Sequence, residues 1–492
     1  MSEINREVAG NTPVLTGASP TTLKKDAIGL SEVLFQSITA MAPAVAVATA
    51  LSPAIPFAGA SLPLAILLAL IACVLIASNI GQLAIHIPSA GGMYTYISRS
   101  LGVRWGFISA WTFLLAQPLL LPLVSLVWGP YAEDLVKTLI NVDIPWWIYS
   151  IIGNILLFLL TYRGIKLSAD ASVVLGAIEI TVIVALSLTM IFSGHNDLAT
   201  FTPTYATNGW VGIFQGMVFA FLAFVGFETA APLGEETENP KRNIPRAVIY
   251  SALGIGIYYV FASYAGVNGW GIAKIQDYAA SAAPWADLGK RYWGYVGPLI
   301  LSFAILNSAL GNGNAGINAT SRVAYAMGRI GTLPRAFARL SKHQTPIVGI
   351  IVHSVASIVI AIGCGLALGT TAAFGLIGSL LTLGLLLLYM ASCVATFFFY
   401  RRERPQDFRV VQHVIIPVVP LIILVITFWY QIYPIPPFPL NLAVPILVVW
   451  ILLGVIYMLY LSRRNPEALQ QGKEIFLQDL ETEPTGLVEG LL

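Results

Sequence analysis

The stretch Gly29–Leu51, GLSEVLFQSITAMAPAVAVATAL, is long enough and apolar enough to cross a bilayer, yet its centre is polar and interrupted. Ser37 and Thr39 bring two hydroxyls, and Pro43 follows. Pro43 has no backbone N–H, and in a continuous helix its ring would clash with the carbonyl of Thr39. Irregular backbone at that depth must face protein or a water-filled cavity. The spacing predicts two half-helices, with Pro43 in the first turn of the second, where its missing donor costs nothing. The N–H groups of Ala44 and Val45 would then open the second half with the positive end of its dipole. The carbonyls of Ser37 to Ala40 would offer the opposite polarity. Such ends suit a small solute with an anionic and a cationic group. Taken alone, the stretch also fits a proline-kinked helix with no site.

A second stretch decides between these readings. Gly209–Leu233, GWVGIFQGMVFAFLAFVGFETAAPL, is also of membrane length and also interrupted, at Gly226, with Glu228 just after and Pro232 beyond. Two broken spans, one near the start and one near the middle, point to a transporter built from inverted repeats.

Of 492 residues, 57% are hydrophobic and only 10% charged, against roughly a quarter charged in soluble domains. The class is a polytopic membrane protein. A net charge of +2 gives no footing for nucleic-acid binding. Cys73, Cys364 and Cys393 all fall in apolar stretches, which indicates neither a disulfide framework nor a metal cluster. The first 25 residues are polar, so no cleavable signal peptide is expected and the first span serves as its own insertion signal.

Twelve apolar spans of ~17–25 residues or more are expected, at 27–51, 61–85, 105–130, 146–162, 168–193, 210–232, 247–268, 294–327, 346–368, 371–399, 412–433 and 441–462. On this threading all but four of the 26 Lys and Arg lie on the side of the termini; the exceptions are Lys137, Lys274, Lys290 and Arg291. Both termini are therefore expected in the cytoplasm of a multi-pass inner-membrane protein. Residues 1–26 and 463–492 read as polar tails, disordered at the N-terminus. Residues 27–399 read as the core, with repeats at about 27–193 and 210–399, and 400–462 as two added spans. Among the connections, 86–104 reads as a loop or re-entrant piece, 329–342 as a short amphipathic helix, and 401–409 as a polar hinge.

Three sets of motifs carry a resemblance. Pro88-Ser89-Ala90-Gly91-Gly92-Met93-Tyr94 lies between spans two and three. Phe224-Val225-Gly226-Phe227-Glu228, Glu235-Glu236 and Asn239-Pro240-Lys241-Arg242-Asn243-Ile244-Pro245 follow the second break. Ser321-Arg322, Tyr325-Ala326-Met327, Gly331-Thr332-Leu333-Pro334 and Thr345-Pro346 follow span eight. In this order, and over nearly its whole length, the chain resembles the amino acid–polyamine–organocation (APC) superfamily. The resemblance implies an all-α fold of twelve transmembrane helices, a five-plus-five inverted repeat with helices one and six broken around a central site, and peripheral helices eleven and twelve. It implies secondary transport of amino acids or related amines by alternating access, with no cofactor. The substrate carboxylate would meet N–H groups of the second half of span one, and the amino group would meet carbonyls of spans one and six.

The chain departs from the pattern twice. Pro43-Ala44-Val45 stands where many relatives have a Gly-Ser-Gly run, which crowds the approach to the donors. Glu179 stands in mid-span five where many relatives have a lysine.

Candidate substrate-binding residues are Thr39, Ala40, Met41, Pro43 and Ala44 at the first break, Phe221, Phe224 and Gly226 at the second, Gln117 in span three and Gly316 in span eight. Gln117 otherwise serves as an interhelical hydrogen-bonder, each Phe as packing, and Gly316, with Asn312 and Asn314, as a close-approach surface. Only Glu179 and Glu228 among 24 acidic residues lie deep in spans. A carboxylate charge there costs at least ~2.5 kcal/mol, so each faces a cavity or keeps a proton. Both are candidates for gating or coupling, against structural roles as a hydrogen-bonder or a cap. No His pair has metal-ligand spacing. The expected function is proton-coupled transport or exchange of an amino acid or small organic amine. Rivals are an amine carrier whose substrate lacks a carboxylate, a Na+-coupled symporter on the same fold and, more distantly, a membrane enzyme.

Overall fold

The computed structural model describes residues 22–473 apart from His195 and Ala282. Of the expected tails, 1–26 and 463–492, residues 1–21 and 474–492 lie outside the described residues; the described start of the second carries a short helix, Pro466–Gln470. Among the described residues every regular element is helical, apart from one parallel bridge between Ile28 and Thr237.

Eleven helical stretches are long and apolar enough to cross a membrane: Leu30–Ala50, Ser52–His86, Val103–Ile140, Ile165–Ser193, Trp210–Leu233, Pro240–Trp270, Val296–Arg329, Ile347–Leu368, Thr370–Arg402, Val411–Ile432 and Leu440–Arg464. Trp146–Tyr162 is apolar and helical but has 17 residues. Below, spans are numbered one to twelve in chain order, with Trp146–Tyr162 as span four.

Some connections differ from expectation. After the turn at Ile87–Gly92, where Gly92 has φ +50°, residues 93–101 form a helix that is buried nearly all round, with Met93 to Ser98 and Ser100 inside. The expected amphipathic helix at 329–342 is only a 3₁₀ turn, Arg335–Ala338, entered through Pro334. Residues 401–409 carry the end of span ten and a 3₁₀ turn, Pro405–Asp407, rather than a plain hinge. Outside the membrane, Tyr205 donates its hydroxyl to Asp197 at 2.5 Å and holds that carboxyl below the usual carboxylate range.

Spans one and eight sit at the centre. Span one packs on spans five, seven and eight, and span eight packs on three and five. Small residues permit this closeness. A Cβ on Gly176 of span five would lie 2.7 Å from Phe35, and one on Gly311 of span eight would lie 3.1 Å from Thr39. Span twelve docks on span three through Trp111 and Trp450. Each indole donates to the other's backbone carbonyl, at 2.9 and 2.8 Å, with ring centroids 4.9 Å apart. Spans eleven and twelve expose apolar rows such as Val418, Ile422, Val425 and Trp429. The helical spacing of this row makes it a lipid-facing stripe.

Polar side chains tie the central helices together. Asn314 donates to Ser168 O at 2.8 Å and to Ser172 Oγ at 2.9 Å. Asn318 donates to Ser168 Oγ at 2.7 Å and to Gln36 Oε1 at 3.3 Å. Toward the end of span eight, fully buried Arg322 forks onto Glu236, Nε to Oε2 at 2.8 Å and Nη2 to Oε1 at 3.1 Å. Its Nη1 also donates to Asn318 Oδ1 at 3.1 Å. Removing one member of such a pair strands the other charge. Glu236→Ala should therefore lower the apparent Tm in detergent, by a loss on the order of 3–5 kcal/mol. Glu236→Leu combined with Arg322→Met should recover most of it, since both charges leave the interior together. A double variant no more stable than the single one would mean that Asn318 and Ser321, not Glu236, anchor Arg322.

Candidate functional site

Span one is helical over Leu30–Ala40, then breaks. Ala42 adopts a left-handed conformation at φ +47°, and Pro43 opens the second half, which runs on through a wide turn at Ala46–Ala50. The break falls slightly later than the sequence suggests. Met41 N–H still reaches Ser37 O and Ile38 O at 3.3 and 3.2 Å, and Ala42 N–H reaches Thr39 O at 3.0 Å. The carbonyls outside the helical ladder are therefore those of Ala40 and Met41, not Ser37 to Thr39.

Side chains from other spans answer these groups. Asn312 Nδ2 donates to Ala40 O, Tyr259 Oη to Met41 O at 2.5 Å, and Tyr258 Oη to Pro43 O at 3.2 Å. On the donor side, Ala44 N–H donates to Glu179 Oε2 at 3.1 Å and Val45 N–H to Ser308 Oγ at 3.2 Å. The two N–H groups expected to be open are thus held by the protein itself. In a medium without water, an unpaired backbone group costs several kcal/mol, which is the physical reason for this dense set of partners.

Span six is helical over Trp210–Phe224, is extended at Val225, turns at Gly226 with φ +125°, and continues as a 3₁₀ helix, Phe227–Leu233. The expected second half-helix is therefore of the tighter kind, with Pro232 inside it. Gly226 lies against span one: a Cβ there would sit 2.5 Å from Ala40 C and 2.6 Å from Ala40 O. Gly226 N–H donates to Glu228 Oε2 at 3.1 Å, and Tyr389 Oη donates to the same oxygen at 2.6 Å. Ser37 Oγ donates to Phe227 O at 2.7 Å and accepts from Ala230 N–H at 3.2 Å. Tyr259 Oη also lies 3.0 Å from Ala223 O, so one hydroxyl spans both breaks.

Of the expected site residues, Ala40, Met41, Pro43, Ala44, Gly226, Glu179 and Glu228 meet at these breaks. Phe224 stands edge-on to Tyr259 at 5.4 Å, and Phe221 is buried. Thr39 turns away: its hydroxyl bonds Phe35 O at 2.8 Å and its methyl lies over Gly176 and Gly311. Gly316 packs on Leu120, where a Cβ would meet Leu120 Cβ at 3.2 Å, so its role here is helix approach. Gln117 is fully buried in a 3₁₀ turn of span three, and neither end of its amide has a hydrogen-bond partner. Glu179 and Glu228 each keep Oε1 without a partner, and Asn312 keeps Oδ1. Tyr258, Tyr259, Ser308 and Tyr389 are additions that the sequence reading missed. The adjacent tyrosines in span seven were a usable signal, since buried Tyr hydroxyls seek acceptors. Ser308 and Tyr389 gave none. Among the described residues no group of three His, Cys, Asp or Glu side chains could hold a metal ion.

A helical membrane protein with two spans broken against each other at buried carboxylates defines a class of transport scaffold. The pattern of the family described as "Amino acid permease" matches residues 32–470, and the chain belongs to that family. It is 31% identical over 302 residues to the low-affinity putrescine importer PlaP of Escherichia coli K12, covering 59% of this chain and 64% of that one. It is 24% identical over 298 residues to the lysine-specific permease LysP of Lactococcus lactis, covering 56% of each. It is 25% identical over 448 residues to the branched-chain amino acid permease BcaP of Bacillus subtilis, covering 84% and 88%. The chain thus spans less than two thirds of the first two relatives and most of the third.

Two substitutions test the geometry. Gly226→Val should lower the apparent Tm in detergent by several degrees or more, because a Cβ has no room beside Ala40 and a β-branched residue resists φ +125°; a wild-type melting curve for this variant would mean span six does not break there. Tyr259→Phe should cost about 1–3 kcal/mol, through carbonyls left unpaired. Tyr258→Phe should cost less, because Pro43 O keeps the Ala46 N–H. Thermal unfolding of the two variants side by side checks the order.

Proposed function

We propose that the protein is a secondary active transporter that moves an amino acid or related small organic amine by alternating access, coupled to protons or working by exchange. The observation that carries the proposal is the contact of the two breaks, Gly226 against Ala40, with carboxylates from spans five and six bound to their backbone. Breaks at matching places in 27–193 and 210–399 support a five-plus-five inverted repeat with spans eleven and twelve outside it. The charge distribution of the loops supports cytoplasmic termini in the cell membrane. Relatives named for putrescine import and for amino acid permeation support both substrate classes.

The proposed site comprises Ala40, Met41, Pro43, Ala44, Phe221, Phe224 and Gly226, with Gln117 of span three as a further proposed member, and Glu179 and Glu228 as coupling groups. Every one of these side chains is buried. Beyond the breaks, Glu235 pairs with Arg329 at 2.7 Å and accepts Ala90 N–H at 3.2 Å, and Glu236 pairs with Arg322. We propose that these contacts hold closed the face on which the termini are proposed to lie, so that opening it requires them to rearrange. A Na+ symporter is the second reading, favoured by the free oxygen of Glu179.

Reconstituted protein should catalyse counterflow of a labelled amine or amino acid without any gradient. An imposed pH gradient, in Na+-free buffer, should drive accumulation if protons couple. Dependence on Na+ at every pH would replace the proton with Na+. Absence of counterflow across a broad panel would remove the transport reading.

A further inference from the structure

The donors and acceptors at the breaks are unequally satisfied. At the start of the second half of span one, Ala44 N–H is held by Glu179 Oε2 and Val45 N–H by Ser308 Oγ. At the other break, Gly226 N–H is held by Glu228 Oε2. Among the side chains that bond the broken ends, the atoms left without a partner are acceptors: Oε1 of Glu179, Oε1 of Glu228 and Oδ1 of Asn312. Glu179 is fully buried, and among the described residues it has no Lys, Arg or His ion-pair partner.

The protein's own carboxylate therefore stands on the backbone donor that a substrate carboxylate would take. A second carboxylate brought to that donor must displace Glu179 or lie beside it, and two like charges in a buried site repel strongly. A cation meets the opposite situation: an unfilled carboxylate oxygen, with a further acceptor on Asn312 one bond from the first break. A buried carboxylate is tolerated when it is paired and hydrogen-bonded. Hydrogen bonds from Ala44 N–H and from the Ser308 hydroxyl supply the first half of that condition, and an ammonium at Oε1 supplies the pairing.

We infer that the cargo is an organic cation without a carboxylate, an alkyl amine or diamine, whose ammonium is held by Oε1 of Glu179. This rests on the transport reading and narrows it to one substrate class.

The experiment uses full-length protein in proteoliposomes and pairs of compounds that differ only in the carboxylate: lysine with 1,5-diaminopentane, ornithine with 1,4-diaminobutane, leucine with 3-methylbutylamine. Counterflow competition and thermal stabilisation of the detergent-purified protein are read for each. In at least one pair the amine should bind about tenfold tighter than its amino acid, or more. Glu179→Gln keeps an acceptor for Ala44 N–H but loses the charge. Its amine affinity should fall about thirtyfold or more, while its elution profile and its unliganded melting curve stay close to wild type. Amino acids that compete as well as or better than their amines would overturn the cation assignment and leave transport standing. Unchanged amine affinity in a folded Glu179→Gln protein would overturn it too. If neither member of any pair exchanges or stabilises, the transport reading fails and the cation assignment falls with it.

Discussion

Backbone polar groups cannot be left bare where there is no water, and this one constraint organises the molecule. Two spans interrupt their helical ladders at mid-depth, and each interruption frees carbonyls and N–H groups that hydrocarbon cannot satisfy. The protein answers with side chains from spans five, seven, eight and ten: Glu179, Tyr258 with Tyr259, Asn312 with Ser308, and Tyr389 acting through Glu228. Those helices must come close to the two broken spans to deliver them. Glycines at 176, 226 and 311 follow from that need, since a side chain at any of them would strike Phe35, Ala40 or Thr39.

The same groups connect stability with mechanism. A hydroxyl such as that of Tyr259, shared between Met41 O and Ala223 O, resists separation of the two breaks. Ser37 does the same from the other side of the contact, donating to Phe227 O and accepting from Ala230 N–H. Motion of one broken span against the other must exchange these bonds for others. Each is worth only about 0.5–1.5 kcal/mol net, so under the proposed function a cargo that makes comparable bonds could trade with them. The ion pairs of Glu235 with Arg329 and of Glu236 with Arg322 follow the second break in the chain.

Much of this was legible beforehand. Pro43 and Gly226 mark both breaks, and long apolar runs mark the spans, although the third runs on to Ile140, well past the expected end at 130. The polar positions Glu179 and Glu228 stand out because charge is so rare in hydrocarbon. Less was legible where short-range rules compete. The break in span one slips past Ala40 because Met41 and Ala42 can still donate back to Ser37 and Thr39 before Pro43 forbids more. The segment after Gly226 winds as 3₁₀ rather than α. The run 329–342 has an amphipathic pattern, but Pro334 leaves only one turn of it helical.

The sequence by itself determined the class, the approximate spans and the places where the backbone must break, because hydrophobicity and proline act locally and need no knowledge of neighbours. Tertiary structure alone decided what meets those breaks. Thr39 and Gly316 are small and well placed along the chain, yet rotation about their helix axes turns them to packing surfaces on Gly176 and Leu120. Glu179 lies 135 positions from Ala44, and no periodicity in either span says that its carboxylate will accept that N–H. Which donor finds which acceptor depends on the approach of whole helices, and that is set by the packing of side chains distributed over the entire chain.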